Sequence, residues 1–157
     1  MPEWLRRQLE RGAKVTISNQ IGNDGRLIRI ETIANEFPGI IPVLAQLCEQ
    51  DHAVSRAYLC QPDVTHVVKM AKEGGFCGYR NIQMMLSYIQ NARSEGHQQF
   101  PGKLPSILQI QDMIENAWDM GFNPMGRIET GGIRGTRKYI GTPEVSYERK
   151  LAHTYHS

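Results

Sequence analysis

The sequence predicts an α+β domain that is mostly helical, and three observations predict it. Apolar residues recur at helical spacing after residue 81 and again after residue 105. A strand–turn–strand pattern with a central Asn23-Asp24-Gly25 stands near the start. Beyond Glu144 nothing resembles a strand that completes a sheet, so the sheet is expected to be incomplete. A chain of 157 residues is long enough to bury a core, and 40% apolar with 22% charged residues is a globular composition.

In order, Glu3–Arg11 is charged with Trp4, Leu5 and Leu9 on one side, and reads as a short helix ending at Gly12. Val15–Ser18 and Leu27–Ile30 are the two arms of the hairpin. Glu31–Phe37 is expected to be a short helical segment stopped by Pro38-Gly39. Ile41–Glu49 reads as a helix, with Pro42 tolerated in its first turn. A loop follows from Gln50 to Pro62, and Thr65–Met70 mixes apolar and polar positions. Ile82, Met85, Leu86 and Ile89 form the buried stripe of the best-supported helix. Asn91–Lys103 is a polar loop, after which Pro105-Ser106 opens a second helix whose inner face is Ile107, Ile110, Ile114, Ala117 and Trp118, stopped by Gly121. Asn123-Pro124 follows, then a glycine-rich run whose Gly131–Lys138 part is read as a substrate-groove or turn element, and Pro143 as the start of a last helix.

Composition excludes several classes of function. Eighteen Lys and Arg against sixteen Asp and Glu leave a net charge of +2, which argues against the dense basic face of a nucleic-acid binder. No apolar run approaches the ~18 residues of a membrane span, and the charged start predicts no secretory leader. Three cysteines at 48, 60 and 77 are an odd number without paired metal-ligand spacing, so no disulfide scaffold, no metal and no cofactor are expected, and a cytoplasmic or nuclear home is.

The chemistry concentrates in Gly74-Gly75-Phe76-Cys77-Gly78-Tyr79-Arg80-Asn81, where a loop becomes a helix. A thiol at a helix N-terminus meets unpaired N–H groups and the positive dipole end, which favour thiolate and nucleophilicity. The other reading is a small buried residue at a tight turn. Cys48 and Cys60 lack such a setting and read as structural or surface thiols. A nucleophile needs a base, usually histidine, and a group to orient it. His52 and His97 sit in polar loops, while His66 has Val64, Val67 and Val68 around it and is the candidate for the same cleft, equally readable as a wall residue. Asp63 and Asp119 are the available carboxylates, and no spacing singles out either. Cys60, His66, Cys77 and His97 do not match the short ligand pairs of a zinc site. Gly131–Lys138 lacks a full phosphate-loop motif. Its Arg134, Arg137 and Lys138 read as a basic turn or as partners for a carboxylate.

The segment Gly74–Met84 resembles the nucleophile segment of the papain-like cysteine peptidases specific for the ubiquitin-fold modifier, and is closest to the branch containing the zinc-finger ubiquitin peptidase. The likeness continues through Pro105–Glu115, Ala117-Trp118, Gly121–Pro124 and Gly135–Gly141 with Glu144, covering roughly 60–146. It divides the chain into a variable N-terminal region, 1–59, a nucleophile-bearing part, 60–146, and a divergent tail, 147–157. It implies the front, mostly helical portion of a papain-like fold. It also implies Cys77 as nucleophile and oxyanion or cleft roles for Gly78 and His66. A narrow groove would be framed by Phe76, Tyr79, Gly135 and Tyr139.

The implied activity is hydrolysis of peptide or isopeptide bonds to ubiquitin or a ubiquitin-fold modifier, with those modifiers and their conjugates as partners, and neither nucleic acid nor membrane among them. A non-catalytic module that binds such a modifier is the alternative. Two departures stand out. Where some members carry an oxyanion tyrosine about a dozen residues before the cysteine, this chain has Thr65-His66. The family's downstream histidine and aspartate segments are not recognisable, and neither His153 nor His156 sits in their motif. The expectation is therefore the front of a longer product or a degenerate paralogue, impaired in hydrolysis and exposing part of its apolar helix stripe.

Overall fold

A computed structural model describes residues 1–141 and shows the mixed α+β arrangement. Helix α1, Glu3–Arg11, turns Leu5 and Leu9 inward and ends at Gly12, whose φ of 70° suits a residue without Cβ. Strands β1, Val15–Ile21, and β2, Leu27–Ile33, pair antiparallel, with Val15 opposite Ile33 and Ile21 opposite Leu27. Their turn is closed by Gly22 N–H to the Arg26 carbonyl, 2.8 Å, and by the Asp24 carboxylate accepting Arg26 N–H, 3.1 Å.

The helix expected over Glu31–Phe37 is not formed. β2 runs on to Ile33, because Glu31, Thr32 and Ile33 find ladder partners in Ile17, Thr16 and Val15. Glu36–Phe37 is then strand β3, antiparallel to β4, His66–Val67. The buried Asn35 locks this second pair: its carbonyl accepts Val68 N–H and its side-chain amide donates to the Val68 carbonyl, both at 3.0 Å. Each of these sheets has two strands, and neither closes on itself.

Gly39, at φ 74°, turns the chain into α2, Ile40–Gln50, which has Pro42 in its first turn and no fully buried residue. The central element is α3, Cys77–Asn91. It packs against β4 on one flank and α4, Ile107–Asp119, on another. Helix α4 begins with a capping box. Gln109 N–H donates to the Ser106 hydroxyl at 3.3 Å, and Ser106 N–H donates to the Gln109 side chain at 2.8 Å. A further helix, α5, Pro124–Thr130, stands where the sequence reading assigns no element. Pro124 at its first position and Gly131 just past its end are the proline-first, glycine-last signature of a short helix.

One core joins these parts: Leu5 and Leu9 of α1, Phe76, Ile82 and Leu86 of α3 and its approach, Ile107, Ile110 and Trp118 of α4, and Ile133. Each fully buried Ile or Leu contributes about 1.5–3 kcal/mol. Of the stripe expected to be partly exposed, Ile82, Leu86 and Ile89 of α3 and the inner face of α4 are covered within this structure, while Met85 is only half-buried. Apolar surface is exposed elsewhere, on the hairpin (Ile17, Ile21, Leu27) and on α2 (Val43, Leu47).

Candidate active site

The site is built at the entrance to α3. Gly74, at φ 85°, supplies the turn before it. Phe76 then goes inward, with no exposed surface, and Cys77 goes outward as the exposed first residue of the helix. No side chain caps this helix end, so its first-turn N–H groups face the same region as the thiol. Three residues on from Cys77, the guanidinium of Arg80 grips Glu73 through two bonds, Nε to Oε1 at 3.0 Å and Nη2 to Oε2 at 2.5 Å. Glu73 also accepts Met70 N–H at 2.8 Å. Arg80 Nη1 donates to Gln83 Oε1 at 2.7 Å, and Gln83 Nε2 donates to the Pro105 carbonyl at 2.7 Å. All three side chains are buried, so the charge pair is enclosed and its geometry ties the loop before Cys77 to the helix after it.

A second segment lies across the first. A Cβ built on Gly74 would sit 2.8 Å from the Arg137 guanidinium, one on Gly75 2.6 Å from the Tyr139 ring, and one on Gly78 2.8 Å from Ile140 Cγ1. The three glycines around the cysteine thus clear the space that residues 137–140 occupy. That cover is held from below by α4. Glu115 Oε1 accepts the N–H groups of Ile133, 2.6 Å, and Arg134, 2.8 Å, while Gln111 Oε1 accepts Gly135 N–H at 2.9 Å and its amide donates to the Thr136 carbonyl at 3.2 Å. Tyr79 adds a bond from its hydroxyl to the Lys138 carbonyl, 3.2 Å. Burial raises the proton affinity of the Glu115 carboxyl, but the two backbone N–H groups with the cations of Arg127 and Arg134 outweigh it and hold its pKa below the ordinary 4.5.

The structure sorts the residues singled out from the sequence. Cys77, Gly78 and Tyr139 come together at the mouth of α3, and Gly135 forms the clamped turn that leads into the cover. Phe76 and Tyr79 do not line a groove: both have no exposed surface, their ring centroids are 5.5 Å apart, and they support the site from the core. His66 is not brought to Cys77. It is exposed on β4, next to Thr65, whose N–H donates to Ser87 Oγ at 2.9 Å. Ser87 lies about 15 Å along the helix from Cys77 at 1.5 Å per residue. Asp63 is farther still, its carbonyl accepting the side-chain amide of Asn91 at the distal end of α3. Asp119 is paired with Arg127 at 2.8 Å. His97 lies in a single 3-10 turn with its Nδ1 3.0 Å from the Ser94 carbonyl.

Of the basic turn, Arg134 is engaged by Asp112 and Asn116, both at 2.7 Å, so it is not presented to a carboxylate ligand. Lys138 donates to the carbonyls of Thr130 and Gly132, while Arg137 lies against Gly74. Among the described residues no cluster of His, Cys, Asp and Glu is arranged to hold a metal, and no helix is long and apolar enough to cross a membrane. His153, His156, Glu144, the expected last helix and the 147–157 tail lie outside the described residues.

Sequence reasoning missed the two polar supports, Glu73–Arg80–Gln83 and Gln111–Glu115. Their signal was present: Arg80 and Gln83 stand three apart among Tyr79, Ile82 and Leu86, and Gln111 and Glu115 four apart among Ile110, Ile114 and Trp118. A polar pair at helical spacing inside an apolar stripe is a buried network in waiting.

An exposed thiol thus stands at the first residue of α3, with a glycine-shaped approach and the irregular segment 137–140 lying across it. The chain belongs to peptidase family C78, whose family model matches residues 53–153. It is similar to zinc finger-containing ubiquitin peptidase 1 of Mus musculus, with 39% identity over 120 residues, 75% of this chain and 21% of that protein. To the Homo sapiens protein of the same name it is 38% identical over 77 residues, 48% of this chain and 13% of the relative. To that of Rattus norvegicus it is 38% identical over 74 residues, 46% and 13%. The chain therefore spans about a fifth or less of the length of these relatives.

Proposed function

We propose that this chain carries the nucleophile of a thiol peptidase that cleaves peptide or isopeptide bonds made by the C-terminus of ubiquitin or a ubiquitin-fold modifier. The observation that carries the reading is Cys77, exposed at the head of α3 and backed by the enclosed Glu73–Arg80 pair. In this reading the thiolate sulfur attacks the carbonyl carbon of the modifier's last residue. The tetrahedral oxyanion is met by the N–H groups of Cys77 and Gly78. Collapse expels the amine, which takes up a proton, and leaves a thioester that water hydrolyses to the free carboxylate and the restored thiol. Tyr139, lying against Gly75, narrows the approach so that a slim glycine tail passes and bulkier side chains do not. The same reading has the protein work in the cytoplasm or nucleus, where free thiols such as Cys48, Cys60 and Cys77 stay reduced.

Turnover by this chain on its own is expected to be feeble. Among the described residues no histidine is hydrogen-bonded to Cys77, and a nucleophile without a base to take its proton is poorly activated. That observation also favours a second reading, a non-catalytic module that binds a modifier's tail. The test is intact-mass spectrometry after incubation with electrophile-tipped ubiquitin and electrophile-tipped ubiquitin-fold modifier, beside Cys77→Ala. A covalent adduct that needs Cys77 supports the peptidase reading and names the modifier. Folded protein that forms no adduct with either probe removes that reading. Non-covalent retention of a modifier by such protein supports the binding module.

A further inference from the structure

We propose that the cleft between α1 and the start of β1 is a docking groove for an extended acidic peptide bearing apolar side chains. The groove has a volume of about 1020 Å³. Arg7, Arg11, Lys14 and Lys69 line it, and no Asp or Glu does. Trp4, half exposed at 53%, and Met70 give it apolar wall. Arg7 shares an exposed ion pair with Glu3 at 3.0 Å, and the Lys69 ammonium donates to the Gly74 carbonyl at 3.2 Å. Arg11 and Lys14 stand exposed, with no carboxylate within ion-pair distance among the described residues. Four cations from three separate segments thus converge on one concavity in a chain whose net charge is only +2.

The charge pattern selects the occupant. Carboxylates placed alternately with apolar side chains satisfy the guanidinium and ammonium groups and fill the space beside the tryptophan, which is the residue type that anchors interfaces. A nucleic acid would instead seek an open basic face, and with so small a net charge the surface offers no long-range field for a polyanion. Lys69 and Met70 join the groove to the loop before Cys77, but the thiol itself does not line it, so the binding test does not depend on whether that thiol reacts.

The test is fluorescence anisotropy of the 157-residue protein with a fluorescein-labelled peptide alternating glutamate and leucine. A glutamine–leucine peptide, a polyglutamate peptide and a single-stranded oligothymidylate serve as competitors. The glutamate–leucine peptide is expected to bind, to weaken as salt rises, and to lose about tenfold in affinity in the double variant Arg11→Glu, Lys14→Glu. Trp4→Ala is expected to cost about fivefold or more. Arg29→Glu, a charge reversal on the exposed hairpin, changes nothing. All four substituted residues are solvent-exposed, and circular dichroism checks that the variants stay folded. Absence of binding, equal binding of the glutamine–leucine peptide, indifference to the groove variants, or displacement by oligothymidylate as effective as by the acidic peptide would each overturn the proposal.

Discussion

Replacing Arg80 by methionine removes the positive half of an enclosed ion pair while keeping most of the side-chain volume. The Glu73 side chain has no exposure and that of Arg80 only 8%, so water cannot take over when the guanidinium goes. Glu73 would lose its bonds at 3.0 and 2.5 Å and keep the single Met70 N–H, and Gln83 would lose its donor at 2.7 Å. Breaking a buried pair from one side costs about 3–5 kcal/mol, because a charge remains without its counter-ion. A domain holds only about 5–15 kcal/mol in total. At about 2–4 °C per kcal/mol for a chain near this size, the midpoint should fall by about 6–20 °C. Urea unfolding followed by circular dichroism measures the loss directly. Adding Glu73→Gln neutralises the stranded carboxylate and should restore about 1–3 kcal/mol. An Arg80→Met protein within about 1 kcal/mol of the parent would refute the argument that this pair holds the nucleophile loop.

Glu115 makes a pH prediction. Its carboxyl is held below the ordinary 4.5, so its stabilisation is complete above that value and fades as pH falls through the lower folded-state value. Glu115→Gln should lower the urea midpoint at neutral pH, with the gap to the parent closing as the solution is taken below pH 4.5; a gap constant with pH would count against the assignment. At Gly75, alanine places a Cβ into the Tyr139 ring, but that ring is 71% exposed and free to swing. Gly75→Ala should therefore cost under about 1 kcal/mol in urea unfolding while displacing Tyr139, and the added Tyr139→Ala should remove even that cost. At the hairpin tip, Ile21→Thr and Leu27→Thr alter an exposed cross-strand pair and should change stability by less than about 1 kcal/mol. A larger loss on urea unfolding would mean that this face is covered in solution.

Much of the architecture was legible in the residues because it is governed locally. The hairpin followed from Asn23-Asp24-Gly25 between β-branched arms, α4 from its Ser106 cap and apolar repeat, and the entrance to α3 from the glycines around Cys77. Local signals failed at Glu31–Phe37, where helix and strand patterns compete and the decision lay with residues far along the chain, Val15–Ile17 and His66-Val67. They also failed for Phe76 and Tyr79: an aromatic beside a nucleophile reads equally as groove or core, and only packing against Ile82, Ile107 and Ile133 makes both of them core.

What the sequence by itself determined is the chemical identity of the site: a thiol placed where a glycine turn feeds a helix, since φ preferences, capping and helical periodicity act over a few residues. What only the tertiary structure decided is who stands next to that thiol. Residues 137–140 cover Gly74, Gly75 and Gly78, the Arg80–Glu73 pair is sealed from water, and His66 is carried to the other end of α3. Those contacts join parts of the chain from seven to more than sixty positions apart, and the longer ones exist only because a shared apolar core brings the segments that carry them together.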